Sequence, residues 1–359
     1  MKRIILLGAT GSIGGSACDI VRARPGDFTV VALAARSNLA AAEHLGREFG
    51  AKTYVGEDAA LRAVQENDAD LVLVATVGLS GLAPTMAAIG KGMSVALATK
   101  EVLVAAGEIV TSAAAAAGTR IIPVDSEHSA IFQCMQGKGS SGCVSRLVLT
   151  ASGGPFLDAP ANLDDVTPAQ ALAHPRWRMG PKVTVDSATM MNKGFEIVEA
   201  RWLFGVPAER IDVVVHPESI VHSLVEFSDG ATLAQLSPPD MHVPIQYAMS
   251  WPERLPAERA RLDLPSIAAL TFRKPDERRF PALRLVKEIA ACGGTRMAAL
   301  SAADEVAVGR FLAGEIRFAD IVRLVEDVTG KVAQLERPTV EAVFEADREA
   351  RSLARAWTR

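Results

Sequence analysis

An apolar run from Ile4 to Leu7 passes straight into Gly8-Ala9-Thr10-Gly11-Ser12-Ile13-Gly14, and this join constrains the fold more than any other stretch. Glycines at the first, fourth and seventh places, between a strand and a helix, let the backbone come close to a phosphate at the helix N-terminus. Outward N–H groups and the helix dipole favour an anion there. The same residues also suit a plain tight turn. The rhythm then repeats: Phe28 to Ala34, Thr53 to Val55, Asp70 to Thr76, Ser94 to Thr99 and Arg120 to Val124 read as strands separated by helical stretches. Such alternation predicts an α/β domain with a Rossmann-like parallel sheet.

Open α/β sheets bind ligands beyond the carboxyl ends of their strands. Past the second strand stand Arg36, Ser37 and Asn38, where binders of NAD carry an acid for the ribose 2′-OH. A guanidinium and a hydroxyl without an acid suit a 2′-phosphate, which favours NADP, although Arg36 also reads as an ordinary surface arginine. Thr99-Lys100-Glu101 closes the fifth strand and directs Lys100 toward the cofactor or substrate crevice.

The strand from Arg120 ends in Asp125-Ser126-Glu127-His128. If its extended geometry persists, Asp125 and Glu127 share a face, where two carboxylates repel unless a cation lies between them. With Glu196 they would form an oxygen site suited to Mg²⁺ or Mn²⁺. Asp125 or Ser126 also suits a simple helix cap.

A central segment, His174 to Glu199, carries the densest set of polar groups. His174-Pro175 and Gly180-Pro181 are turns, and Trp177 and Met179 between them suggest a cover over a site. Lys182 to Asp186 alternates like a strand, and Ser187 to Glu199 reads as a capped helix. Ser187, Asn192 and Lys193 would gather hydroxyl, amide and ammonium donors at a helix start, which is an anion site or a capped, solvated helix. The loop Ala151-Ser152-Gly153-Gly154 offers a second wall or a turn. Downstream, Ser223 to Phe227 and Ala231 to Leu236 predict a hairpin through Asp229-Gly230, whose edge a second subunit could cover.

At 359 residues the chain suits two or three domains. The expected division is 1–124 for cofactor, 125–250 as an α+β catalytic, metal-binding and dimerisation domain, 251–280 as a Pro-punctuated linker, and 281–359 as a C-terminal helical bundle. The bundle rests on four helical patterns, Ala282 to Cys292, Arg296 to Leu312, Phe318 to Val332 and Thr339 to Trp357. A net charge of −4 argues against nucleic acid or an anionic membrane as partner. Met1-Lys2-Arg3 leading into a strand is no signal peptide, and four cysteines without pair spacing read as buried free thiols, which together predict a cytoplasmic protein.

Taken in order, GATGSIG, ALATKE, IPVDSEHSAIFQ, TASGGPF, HPRWRMGPKVTVDSATMMNKGFE, VVHPESIVHS and LAQLSPPDM closely resemble the 1-deoxy-D-xylulose 5-phosphate reductoisomerase family, and the match spans nearly the whole chain. The resemblance implies an NADPH-dependent homodimeric enzyme with a divalent metal (Mg²⁺, Mn²⁺ or Co²⁺). Its reaction would be isomerisation by retro-aldol and aldol steps, then reduction to 2-C-methyl-D-erythritol 4-phosphate for isoprenoid synthesis.

By position, the resemblance implies Asp125, Glu127 and Glu196 as metal ligands. Ser152, Ser187, Asn192 and Lys193 match the substrate-phosphate site, and Ser126, Lys100, His174 and His222 lie near the reacting carbons. Trp177 matches the position of the family's flexible flap. Thr10, Gly11, Ser12 and Ile13 match the pyrophosphate loop, Arg36, Ser37 and Asn38 the 2′-phosphate region, and Thr99, Lys100, Glu101, Gly180 and Met241 further cofactor contacts. The chain departs from the family pattern at Thr99, Glu218, Ser237, His242, Ser301 and Asp304; Asn is usual at 99, 301 and 304, and Gln at 218. A plain NADP-dependent dehydrogenase of a phosphorylated substrate, or a non-catalytic NADP sensor, would keep the same fold without the metal chemistry.

Overall fold

The computed structural model describes residues 1–137, 140–159, 163–256 and 261–359. Residues 257–260 of the expected linker lie outside them. Among the described residues, the chain forms two compact units. The first takes Met1–Val102, Glu108–Phe132 and the described residues from Asp240 to Pro256, and the second takes Leu103–Gly107, Gln133–Pro239 and Arg261–Arg359.

The first unit is built on β1 (Lys2–Leu7), β2 (Phe28–Ala35), β3 (Lys52–Val55), β4 (Leu71–Val74), β5 (Ser94–Leu97) and β6 (Ile121–Pro123). All pair in parallel, in the order β3-β2-β1-β4-β5-β6. A parallel sheet covered on both faces needs continuous apolar strands, and Leu71 to Val74 are each at most 1% exposed. Each such large side chain contributes about 1.5–3 kcal/mol by leaving water. The order reverses direction between β1 and β4, which opens a crevice at their carboxyl ends. Gly8, at φ +81°, begins the turn out of β1; a Cβ there would lie 2.2 Å from the Ala75 carbonyl oxygen. A Cβ at Gly14 would lie 2.3 Å from the Gly8 oxygen, so only glycine lets the helix Ser12–Ala23 start this close to the sheet.

The core of this unit is completed from far along the chain. Ile245, Ala248 and Met249, on the helix His242–Ser250, share one apolar cluster with Ile4, Leu6 and Leu71. Lys2 Nζ donates to the carbonyls of Met249 at 3.0 Å and Trp251 at 2.7 Å.

The second unit has a four-stranded sheet of β7 (Val144–Ala151), β8 (Ile211–Val215), β9 (Val221–Phe227) and β10 (Thr232–Leu236), ordered β10-β9-β7-β8. β7 and β8 are parallel and the other pairs antiparallel. The hairpin expected at Asp229-Gly230 is present, with Gly230 at φ +87°. Helices Ala282–Cys292, Thr295–Leu312, Asp320–Lys331 and Val340–Ala356 follow, close to the four helical patterns in the sequence. No helix among the described residues is long and apolar enough to cross a membrane.

Four expectations are corrected. Lys182 to Asp186 is not a strand but the body of the helix Pro181–Thr189. Its β-branched alternation is overridden by an extended Gly180 cap followed by Pro181 at the first helical position, and Thr184 returns a hydroxyl hydrogen bond to the Gly180 carbonyl at 2.9 Å. The expected single helix from Ser187 is divided by Met190 at φ +65°, after which Met191–Phe204 begins. Asp125 and Glu127 do not alternate on a strand, because β6 stops at Pro123 and the helix Ser126–Cys134 starts three residues on. Finally, only Cys18 is a buried thiol, whereas Cys143 and Cys292 are exposed. Burial pushes the Cys18 thiol up to about 11 despite neighbouring Arg22.

Candidate active site

In the first unit the polar groups gather beyond the carboxyl ends of the parallel strands. No side chain caps the helix Ser12–Ala23, whose cap residue is Gly11. The first-turn N–H groups of Ser12 and Ile13 therefore have no acceptor inside the helix, which fits a pyrophosphate. Arg36, past β2, is solvent-exposed and stands 3.6 Å from the carboxylate of Glu57. Ser37 lies beside it, and the side-chain oxygen of Asn38 caps the helix Leu39–Phe49 by accepting from Ala41 N at 3.2 Å.

Beyond β5, buried Thr99 donates its hydroxyl to the Thr76 carbonyl at 2.7 Å, tying the end of β5 to that of β4. The threonine departure thus has a structural use. Lys100 follows, and Glu101 opens the helix Glu101–Ala117. The Lys100 ammonium, nearly buried, lies 2.5 Å from Asp125 Oδ2. Asp125 Oδ1 accepts from Ser126 N at 3.0 Å, and the Ser126 hydroxyl donates to Glu127. His128, fully buried and 4.0 Å from Asp125, was not among the expected site residues; its adjacency in the run DSEH was the available signal. Met241 packs on the core of this unit just ahead of the helix His242–Ser250. The His242 departure fastens that turn, with Nδ1 2.7 Å from Asp240 and Nε2 3.6 Å from Asp19 on the helix Ser12–Ala23.

The second unit holds the remaining candidates. Glu196 is fully buried on the helix Met191–Phe204, one turn after Asn192 and Lys193. Asn192 Nδ2 donates to its Oε1 at 2.6 Å, and Lys193 Nζ donates to its Oε2. The spacings of four and three residues put all three on one helix face. A carboxylate this deep is stable as an anion only beside positive charge. Asp125, partly buried, likewise sits next to Lys100, so both acids are hard oxygen donors that already attract a cation, as a divalent ion requires.

Ser152 leaves β7 in a loop that presses on Ser187, for a Cβ at Gly154 would lie 2.8 Å from the Ser187 carbonyl. The Ser152 hydroxyl is 2.9 Å from His174 Nε2. The other ring nitrogen, Nδ1, accepts from Arg176 N at 3.2 Å and Trp177 N at 2.9 Å, so the proton sits on Nε2 and Ser152 receives it. Trp177 meets buried His222 edge-on at 6.2 Å, and Arg176 Nε donates to the Pro217 carbonyl at 3.2 Å. His222 in turn lies 3.2 Å from the Ser237 carbonyl. Gly180 belongs to this unit as the cap of Pro181–Thr189.

Burial holds His174 below the ordinary histidine range. Protonation would also place a hydrogen on Nδ1, where two backbone N–H groups now point. Between the lowered and the ordinary value the unfolded chain binds more protons, so the turn loses stability as pH falls. The Michaelis constant for a ligand held by Ser152 is therefore expected to stay flat as pH falls through about 6.5, the ordinary value, and to rise only below it. A rise that begins above that range would contradict the neutral tautomer.

Models of the 1-deoxy-D-xylulose 5-phosphate reductoisomerase match residues 4–54 and 44–107, its C-terminal domain residues 121–204, and the DXP reductoisomerase C-terminal domain residues 236–353. The enzyme of that name from Symbiobacterium thermophilum is 49% identical over 99% of this chain and 98% of its own. This chain belongs to the 1-deoxy-D-xylulose 5-phosphate reductoisomerase family. The reductoisomerase of Thermomicrobium roseum is 47% identical over 98% of this chain and 96% of its own. Among solved structures, the reductoisomerase of Zymomonas mobilis in complex with NADPH superposes with a TM-score of 0.92 at 39% identity, covering 99% and 98% of the two chains. A reductoisomerase in complex with NADPH, fosmidomycin and magnesium gives 0.89 at 35% identity, with the same coverage.

Proposed function

We propose that this chain converts 1-deoxy-D-xylulose 5-phosphate into 2-C-methyl-D-erythritol 4-phosphate, using NADPH and a divalent cation. The observation that carries the reading is the end-to-end likeness to reductoisomerases, one of them described with NADPH and magnesium together. The residues fit both groups: outward N–H groups at Ser12 and Ile13 for a pyrophosphate, and carboxylates beside ammonium groups for the metal.

In this reading Asp125, Glu127 and Glu196 hold the cation. When bound, the ion polarises the substrate's carbonyl and neighbouring hydroxyl oxygens as a Lewis acid, and NADPH supplies the reducing equivalent. One carbon–carbon bond breaks and another forms, and the aldehyde so produced is reduced. Ser152, Ser187, Asn192 and Lys193 grip the phosphate, a remote anchor whose binding energy orients the reacting carbons. Neutral His174 fixes the Ser152 hydroxyl, and Trp177 with His222 keeps water from the reacting end. Lys100 and Ser126 flank the carboxylates; Lys100 is a candidate for proton transfer there, and Ser126 contacts the substrate. Thr10 to Ile13 take the pyrophosphate, Arg36 to Asn38 the 2′-phosphate, Thr99, Lys100, Glu101 and Gly180 make further cofactor contacts, and Met241 lies beside the nicotinamide.

The functional division we propose is 1–124 for cofactor, 125–250 for chemistry and dimer formation, 251–280 as linker and 281–359 as bundle. β10 is an edge strand with exposed Leu233, which supports a homodimer closed over that edge. We assign the enzyme to the cytoplasm.

The test follows NADPH oxidation with 1-deoxy-D-xylulose 5-phosphate after exhaustive chelation. Activity is expected to vanish and to return with added Mg²⁺ or Mn²⁺. Turnover that survives chelation would point instead to a plain NADP-dependent dehydrogenase.

A further inference from the structure

Two buried carboxylates and a partly exposed lysine in the second unit have no part in the chemistry above. Lys182 Nζ lies 2.5 Å from Asp186 Oδ2, one turn along its own helix, and 3.0 Å from Asp304 Oδ2 on the helix Thr295–Leu312. The side chains of Asp186 and Asp304 are 2% and 0% exposed and that of Lys182 is 21% exposed, with its ammonium over the Phe195 ring at 4.7 Å. Lys182 stands in the first turn of Pro181–Thr189, where the helix dipole disfavours a cation and where no side chain caps the helix. The two carboxylates reverse that penalty, and of the two it is Asp304 that stands on a different element.

We infer that Asp304 is a positioning residue for substrate: acting through Lys182, it fixes the start of the helix that carries Ser187 and receives the His174–Gly180 segment. This rests on the assignment of Ser187 to the phosphate site. The helix is held at its far end by the glycine loop against Ser187 and by the turn at Met190. Its near end joins directly to the segment bearing Trp177, and the Lys182–Asp304 pair anchors that end to the bundle. Freeing it lets the helix pivot about its Ser187 end. A displacement of about 1 Å at an orienting group can cost on the order of 100-fold in rate.

The experiment compares Asp304→Leu, Asp304→Asn and Lys182→Gln in the full-length chain with metal and NADPH present. Asp304→Leu is expected to raise the Michaelis constant for 1-deoxy-D-xylulose 5-phosphate about tenfold or more and to lower kcat, while that for NADPH stays unchanged. Asp304→Asn keeps an oxygen acceptor for the Lys182 ammonium and is expected to restore near wild-type values. Lys182→Gln shortens the link from its partly exposed side and is expected to reproduce the substrate-selective loss, which keeps the test available if Asp304→Leu does not fold. A folded Asp304→Leu or Lys182→Gln enzyme with wild-type substrate constants, or with equal losses for substrate and NADPH, would overturn the inference. An inactive wild-type chain would instead sink the proposed activity.

Discussion

Replacing Glu196 with Gln is expected to remove turnover while leaving NADPH affinity nearly unchanged. The amide keeps the size of the side chain but carries no negative charge, so it loses most of its value as a ligand to a divalent cation. Groups that merely orient metal ligands already cost roughly 10- to 100-fold when mutated, so a ligand itself should cost at least about 100-fold. NADPH binding is the control, because the groups proposed to hold its phosphates, Ser12, Ile13 and Arg36, lie on the first unit and Glu196 on the second. Steady-state turnover and NADPH fluorescence titration on the same preparation separate the two. Turnover near the wild-type level would remove Glu196 from the metal site.

The second large effect concerns stability. Lys193→Met takes the ammonium away from a fully buried carboxylate and leaves Glu196 beside the neutral Asn192 amide. Breaking one side of a buried pair costs about 3–5 kcal/mol, mainly because the surviving charge is stranded. At the scale of a domain of this size, that corresponds to a fall in Tm of roughly 10 °C. The double variant Lys193→Met/Glu196→Gln removes both charges and is expected to recover most of the loss, giving a large favourable coupling in a double-mutant cycle. Additive losses in thermal melts, with no recovery, would show that the pair is not coupled. Activity should stay low in the double variant, since the proposed phosphate donor and the proposed metal ligand are both gone.

The first sheet was legible because its strands are apolar without interruption, and residues such as Leu71 to Val74 are buried on both faces. The hairpin at Asp229-Gly230 and the four C-terminal helices were legible for the same kind of reason, a local pattern that agrees with tertiary burial. The segment after Gly180 misled because Lys182 to Asp186 has a strand's alternation, and the cap geometry of Gly180-Pro181 decided for helix. Asp125 and Glu127 were paired by a strand rule that fails where β6 stops at Pro123. What brings Ser152 beside His174, or Asp304 beside Lys182, is separation along the chain closed only by folding, which periodicity cannot report. The resemblance named candidate residues; the hydrogen bonds of Thr99 and His242 supply reasons for two departures that it left without one.

The route of the polypeptide carries a further consequence. Ile245, Ala248 and Met249 belong to the core around Ile4 and Leu71, yet they are synthesised after the whole β7 to β10 sheet. On the ribosome, the N-terminal sheet therefore waits with an unfilled apolar groove until residues near 250 emerge, while the intervening segment is free to collapse first. A fragment ending at Phe132 would expose that groove to solvent, and genetic dissection of this enzyme into an independent nucleotide-binding module would have to carry residues 240–256 along as a grafted piece.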